Sequence, residues 1–486
     1  MRRYILQREK EINAVTVPFE LRLDDDDTPS RKMASGPTKT SKKALSRLYF
    51  RIVGLLGMLF LGYLAIASDL KPLHLGSKAI DSLAFSFNFQ KPFYVVIIDA
   101  GSTGSRVLAF AFHSSIMNGN LVLDSELFHQ EKPGLSSFAN KPSDGMKSLE
   151  ILIEKAKSVI PQSAWAHTPL FMKATAGLRL LPEHKASAIL EECRKFLKKC
   201  GFRVSENAVS IMEGTDEGIF SWFTVNFLLD RFSSQSAKST VAALDLGGGS
   251  TQITYAPDEE NFKELEKYIH SISAFNNNMS IYTHSYLGMG LMAARKAILV
   301  PEKLPRNENG MIEVRSECIN PIIKTSWSYG GKEYEVMGPE KGAYKIFRNQ
   351  NFAGGDENRP IVRFKECLNL VKRHTDTIVN KPVGLNKHEI YAFSYYFDRA
   401  TEIGLIDPFT GGEVTVDSFY KAALETCEYA NTEQPFMCLD LTFIYSLLRN
   451  GFGLEPTTKL YLYKKITGHE LSWALGSAFS VLQTEL

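Results

Sequence analysis

Apolar positions change their spacing several times along the chain, and each change predicts a different kind of structure. Residues 1–47 carry no apolar period and read as a disordered tail. An unbroken apolar run follows, Ile52–Ala67 (IVGLLGMLFLGYLAIA), without a single charge. With Leu48, Tyr49 and Phe50, and with Arg51 able to extend its head to the interface, it approaches the ~20 residues that cross a bilayer. Residues 48–68 are therefore expected to form a transmembrane signal anchor and residues 69–91 a stem. From Pro92 onward, strand-length apolar runs alternate with helical patterns, which predicts an α/β body. Two stretches of that body share one layout. They are YVVIIDAGSTGSRVLAFAF, from Tyr94 to Phe112, and VAALDLGGGSTQITYA, from Val241 to Ala256. Each predicts a buried strand ending on an Asp, a Gly/Ser/Thr turn, and a second β-rich run. No second apolar run occurs before Leu486, so the body is expected to be attached at one end only.

Charge sets the orientation of the anchor. The acidic run Asp24–Asp27 is followed by Arg31, Lys32, Lys39, Lys42, Lys43 and Arg47. Positive charge on the N-terminal side predicts a cytoplasmic tail and a translocated body. A cleaved leader and a buried core helix are the alternatives. A leader this far from Met1 would be unusual, and Ala65–Ser68 offers only a weak cleavage site. A short span suits a thin early-secretory membrane. Over the whole chain charge is balanced, with 56 basic against 54 acidic residues and a net charge of +2, which argues against a nucleic-acid partner. The proportions, 44% hydrophobic and 23% charged over 486 residues, allow a large core in two lobes.

A lumenal address makes disulfides expected. No two of the six cysteines have a CxxC spacing, so neither a zinc nor a thioredoxin-type site is indicated. Cys427 and Cys438 face each other across the loop-like Asn431–Pro435 and are expected to pair, leaving Cys318–Cys367 as a second bridge. Cys193 and Cys200 flank a helix-like segment and would pair only if the chain turns after Lys199. The sequon at Asn278 agrees with lumenal exposure as a glycosylation site.

The two similar stretches carry the chemistry. Each predicts a hairpin with a Gly-rich tip, unlike the strand–turn–helix of a Rossmann or Walker loop. Glycines let backbone approach closely, while N–H groups and hydroxyls converge on an anion. An Asp at the strand end suits a cation held through water. One such loop would be as well explained by an ordinary turn. Two, with Asp99 and Asp245 lying 146 residues apart, predict duplicated lobes with phosphate held between them. Between the loops, Lys173–Arg179 is a small-residue segment able to present Thr175 to the cleft, with Arg179 equally suited to a structural ion pair. Glu217, in EGTDEG before the apolar helical pattern Ile219–Leu229, reads by itself as a helix-capping acid.

Taken together, DAGSTGSR (99–106), ATAGLR (174–179), GTDEG (214–218), DLGGGSTQ (245–252) and SWALGSAF (472–479) resemble, in order, the five motifs of the apyrase family of nucleoside triphosphate diphosphohydrolases. LRLLPEHKA, SYLGMGLMAAR and YAFSYYFD are similar to the secretory-pathway nucleoside diphosphatases within it. The resemblance implies an actin-like (ribonuclease H-like) duplicated fold with its active site in the inter-lobe cleft. Lobe I would take 92–213 with 469–486, and lobe II 214–468. It implies Glu217 as the general base and Asp99 and Asp245 holding Ca²⁺ or Mg²⁺ mostly through water. Ser102, Thr103 and Gly104 would bind phosphate from one side, and Gly247, Gly248, Gly249 and Ser250 from the other. Thr175 and Gln252 would orient metal waters or the nucleophile. The family's pattern of two local bridges matches the four C-terminal cysteines.

One departure bears on substrate. Cell-surface triphosphatases carry His where this chain has Gly104 and have a second transmembrane segment, so both differences imply nucleoside diphosphates, with UDP and GDP expected in the ER or Golgi lumen. Tyr395, Tyr396, Phe397 and Phe452 are candidates to stack on the nucleobase, or else core residues. A broader apyrase, an actin-like kinase or chaperone-type ATPase, and a silent scaffold are the competing classes. No motif indicates an oligomeric state.

Overall fold

The computed structural model describes residues 40–67, 81–85, 87, 89–116, 119–233, 239–274, 277–300, 311–340, 345–349 and 357–485. The polar tail up to residue 39, residue 68 of the expected anchor and residues 69–80 of the expected stem lie outside them. The chain divides into two compact units, Met1–Lys78 and Ala79–Leu486.

The described part of the first unit is one helix, α1 (Thr40–Ala67). It begins at Thr40, inside the tail that the polar pattern predicted to be disordered through residue 47. Lys42, Lys43, Ala44, Leu45 and Arg47 are good helix formers, which accounts for the extension. Its apolar side chains stand exposed, Leu56, Leu59 and Leu61 at 58%, 63% and 65%. Among the described residues no helix is long and apolar enough to cross a membrane. Ile52–Ala67, the uncharged stretch of this helix, rises about 24 Å, against a hydrocarbon core of ~30 Å.

The second unit is built on two mixed sheets. The first contains β1 (Phe93–Ala100), β2 (Ser105–Ser114), β3 (Leu121–Glu131), β4 (Leu170–Ala174) and β5 (Val209–Ile211) in the order β3-β2-β1-β4-β5. β1, β2 and β3 form an antiparallel meander, and β4 and β5 continue parallel to β1. The second contains β6 (Ala242–Leu246), β7 (Ser250–Tyr255), β8 (Ile269–Ala274), β9 (Asn277–Leu287), β10 (Ile390–Ser394), β11 (Gly412–Thr415) and β12 (Lys459–Leu462). Its order is β11-β12-β10-β6-β7-β9-β8. Its central strands β9-β7-β6-β10-β12 repeat the order and directions of the first sheet. Register makes the repeat residue-specific. Asp99 pairs with Arg106 across the first hairpin, and Asp245 with Gln252 across the second.

The helices that cover and join the sheets are α2 (Met146–Val159), α3 (Glu183–Leu197), α4 (Gly214–Leu228), α5 (Leu291–Leu299), α6 (Phe364–Thr375), α7 (Tyr395–Glu402), α8 (Val416–Cys427), α9 (Met437–Ser446) and α10 (Trp473–Glu485). The continuous apolar run of β1 follows from burial on both faces. Val96 and Ile98 pack with the α2 stripe Leu149, Leu152, Ile153 and Ala156. Val95 and Ile97 face the opposite way, into a core shared by α4 (Trp222, Val225), α10 (Leu475, Phe479) and the second sheet (Ala243). One core thus spans both sheets through the α4–α10 pair. Helices α6, α8 and α9 back the second sheet, tied by Cys318–Cys367 and Cys427–Cys438. Cys193 and Cys200 are buried free thiols, and burial pushes Cys193 up to about 12.

Candidate active site

Both hairpin tips open on a cleft of about 300 Å³. Gly101, Ser102 and Thr103 line one wall and Gly247, Gly248, Gly249 and Ser250 the other. The walls nearly touch. A methyl carbon on Gly248 would collide with Ser102 Oγ and come within 3.0 Å of Thr103 Cγ2, so any larger residue would have to turn those side chains aside. Gly104, expected to bind phosphate, does not line the cleft. A side chain there would run into Gln130 Nε2 at 2.6 Å and the Glu131 carbonyl at 2.9 Å, because the position turns back against β3.

Asp99 and Asp245 end the central strands of the two sheets and are 7% and 6% exposed. Arg106 Nη1 donates to Asp99 Oδ2 at 3.0 Å. Asp245 accepts from Ser394 Oγ at 2.6 Å and from Ser221 Oγ at 3.3 Å. Glu217 stands in the first turn of α4, whose N-cap, Glu213, makes no side-chain cap bond. The Glu217 carboxylate instead pairs with Arg179 and accepts from Gln252 Nε2 at 3.1 Å. The acid of the helix-capping reading and the arginine of the ion-pair reading therefore pair with each other, and Glu217 of the two lines the cleft. Thr175 also lines it, its amide donating to the Ala100 carbonyl at 3.3 Å.

Burial raises the pKa of all three carboxyls in the cleft. Burial raises Glu217 to about 8, opposed by Arg179 and reinforced by Asp245 and Asp99. Burial also raises Asp99, against the pull of Arg106. It raises Asp245 too, against the hydroxyl of Ser394 and with the help of Asp99. Such a site is relieved by a bound cation, and its donor chemistry fits a hard, oxygen-seeking one. Asp99 Oδ1 and Gln252 Oε1 are buried and have no hydrogen-bond partner among the described residues. No group of three His, Cys, Asp or Glu side chains is placed to hold a metal ion directly among those residues.

The aromatic candidates divide. Tyr395 and Phe397 line the cleft. Tyr396 is fully buried and Phe452 is 3% exposed, its ring 5.5 Å from that of Tyr286. These two belong to the core of the second sheet and do not line the cleft. Tyr463 and Trp473 line the cleft instead, as do Arg106, Lys132, Arg399 and Lys464. The sequence reading assigned no role to Ser221, Ser394 or these cations. Ser221 could have been found, being one helical turn past Glu217. Ser394 could not, since it reaches Asp245 only through the parallel pairing of β10 with β6 and a backbone at φ 59°.

Facing glycine-rich hairpins above an acidic floor, with a carboxylate able to take a proton, define an α/β enzyme of phosphoryl transfer. The chain belongs to the GDA1/CD39 (nucleoside phosphatase) family, whose pattern matches residues 88–485. It is thus a hydrolase acting on nucleotide phosphoric anhydrides. It is 40% identical over 398 residues to a human protein named nucleoside diphosphate phosphatase ENTPD5, covering 80% of this chain and 88% of that one. It is 37% identical over 411 residues to the Caenorhabditis elegans nucleoside-diphosphatase uda-1, covering 80% and 81%. Among solved structures, a Neospora caninum nucleoside triphosphate hydrolase superposes with a TM-score of 0.51 at 13% identity, over 86% of this chain and 98% of that one. That likeness supports the fold.

Proposed function

We propose that this enzyme hydrolyses nucleoside 5′-diphosphates, UDP and GDP first among them, to the monophosphate and inorganic phosphate in the lumen of the ER or Golgi. The observation that carries the reading is Glu217, a buried carboxylate held by Arg179 and Gln252 at the floor between two phosphate loops. The amides and hydroxyls of Ser102, Thr103 and Gly247–Ser250 bind and orient the terminal phosphate. Glu217 takes the proton of the attacking water, which Thr175 and Gln252 align in line with the scissile bond. Asp99 and Asp245 would hold Ca²⁺ or Mg²⁺ through water, and the ion when bound neutralises phosphate charge. The names of the human and nematode relatives support a diphosphate substrate. Tyr395 and Phe397 supply the remaining aromatic surface for a base.

The lumenal setting rests on separate features. α1 is apolar around its whole circumference over Ile52–Tyr63, a pattern that suits lipid better than water, with basic charge on its N-terminal side. Two disulfides suit an oxidising compartment, and Asn278 stands exposed on β9 for glycosylation. The function is tested by measuring phosphate release from a panel of nucleotides with residues 70–486. UDP and GDP should outpace ATP, and EDTA should abolish turnover. Equal rates on ATP would replace the diphosphatase reading with a broader apyrase.

A further inference from the structure

Four cationic side chains line the cleft, and two of them have no anion fixed to them. Arg106 is bonded to Asp99. Arg399 is engaged by Glu402, by Gln434 at 2.9 Å and by Asp440 at 3.4 Å. The ammonium groups of Lys132 and Lys464 make no hydrogen bond or ion pair among the described residues, although both line the cleft. They come from different sheets. Lys132 follows β3 of the first sheet, and Lys464 follows β12 of the second. Burial raises Asp398, in the first turn of α7, against the pull of Arg399 first and then of Lys464, Arg106 and Lys132, and Lys464 likewise opposes the burial of Glu470.

Two ammonium groups that line the cleft without a hydrogen bond or ion pair of their own are placed for an anion that arrives with the substrate. The loops account for one phosphate. A nucleoside diphosphate brings a second, and the floor formed by Asp99, Asp245 and Glu217 repels it. We propose that Lys132 and Lys464, one from each sheet, bind the phosphate that stays with the nucleoside when the anhydride is cut. This inference rests on the diphosphatase reading. During the step, the water oxygen bonds to the terminal phosphorus and its proton passes to Glu217. The bond from that phosphorus to the bridging oxygen breaks, and the electron pair remains on that oxygen, now part of the monophosphate. The two ammonium groups neutralise the charge growing there and then hold the monophosphate product. Inorganic phosphate, the other product, rests on the loops.

The test uses the enzyme with Ca²⁺ and the variants Lys132→Gln, Lys464→Gln, their combination, and Lys464→Arg. Steady-state rates on UDP are measured with inhibition by UMP and, separately, by inorganic phosphate. Each Gln variant should lower kcat/KM and raise the inhibition constant of UMP about tenfold, the loss of one charge-assisted contact. Inhibition by inorganic phosphate should stay within about twofold. Lys464→Arg, which keeps the charge, should recover most of the loss. Melting temperatures should hold, because both lysines are exposed. Unchanged UMP inhibition in the double variant, or an equal weakening of both inhibitors, would overturn the assignment while leaving diphosphate hydrolysis intact. A wild-type enzyme inert toward every diphosphate would instead remove the hydrolysis reading, and this inference with it.

Discussion

Replacing Gly476 with Ala tests whether the catalytic carboxylate is positioned by a helix crossing on the far side of the core. Gly476 lies on α10 where that helix meets α4, and its amide donates to Thr224 Oγ1 at 3.0 Å. A methyl carbon at this position would stand 2.5 Å from the Phe220 carbonyl oxygen, 2.8 Å from its Cα and 3.0 Å from its carbonyl carbon. Relaxed contacts between carbon atoms are about 3.5–4.0 Å, so the shortfall is roughly 1 Å. The obstacle is backbone and cannot rotate aside. The helices must separate, at a cost of about 1–3 kcal/mol for overpacking. Phe220 follows Glu217 and precedes Ser221 on the same helix, so the shift carries both away from Arg179 and Asp245. A displacement near 1 Å at reacting groups costs about 100-fold in rate. Thermal melting and kcat on UDP, measured side by side, should show a fall of several degrees and a fall in rate near that size. Unchanged melting together with full activity would mean that the crossing has slack and that the spacing argument is wrong.

Two further outcomes follow from buried charge. Glu217→Gln should lower kcat by about 10²–10⁴-fold with the fold intact. In chelator, the folded wild type keeps its Glu217 proton from the ordinary 4.5 up to about 8, whereas the unfolded chain has lost it. Wild-type stability should therefore fall relative to the Gln variant as pH rises through that window, by on the order of 3–5 kcal/mol, and denaturant melts at pH 5 and pH 8.5 would read the difference. Asp440→Asn should cost about 3–5 kcal/mol by leaving two buried guanidinium groups without their shared anion. Asp440 is fully buried and accepts from Arg295 Nε at 2.6 Å and lies 3.4 Å from Arg399 Nε. Loss of that anchor should also raise KM, since Arg399 lines the cleft.

Much of the site was legible because its motifs are local. A strand that ends on Asp and turns through glycines is a contiguous pattern, and Asp99 and Asp245 could be paired from two copies of it. The equal spacing to Arg106 and Gln252 is the same repeat seen in register. Directions of side chains were less legible. Gly104 sits within the loop motif yet faces β3, because a four-residue turn between antiparallel strands must send some positions backward. Tyr396 and Phe452 show the same limit, since aromatic residues in sequence beside a cleft are as often its support as its lining.

By itself the sequence determined the two hairpins, the acids that end their first strands, the acid at the head of α4, and an apolar run bordered by basic charge. Each depends on residues within one segment, where backbone periodicity and glycine placement decide the outcome. Only the tertiary structure decided that Arg179 and Gln252 hold Glu217, that Ser394 reaches Asp245 from a strand 149 residues away, and that Lys132 and Lys464 enter one cleft from two sheets. Those meetings depend on strand order and on the depth at which α4 and α10 pack. Both are set by the whole core, and neither is encoded at the residues that meet.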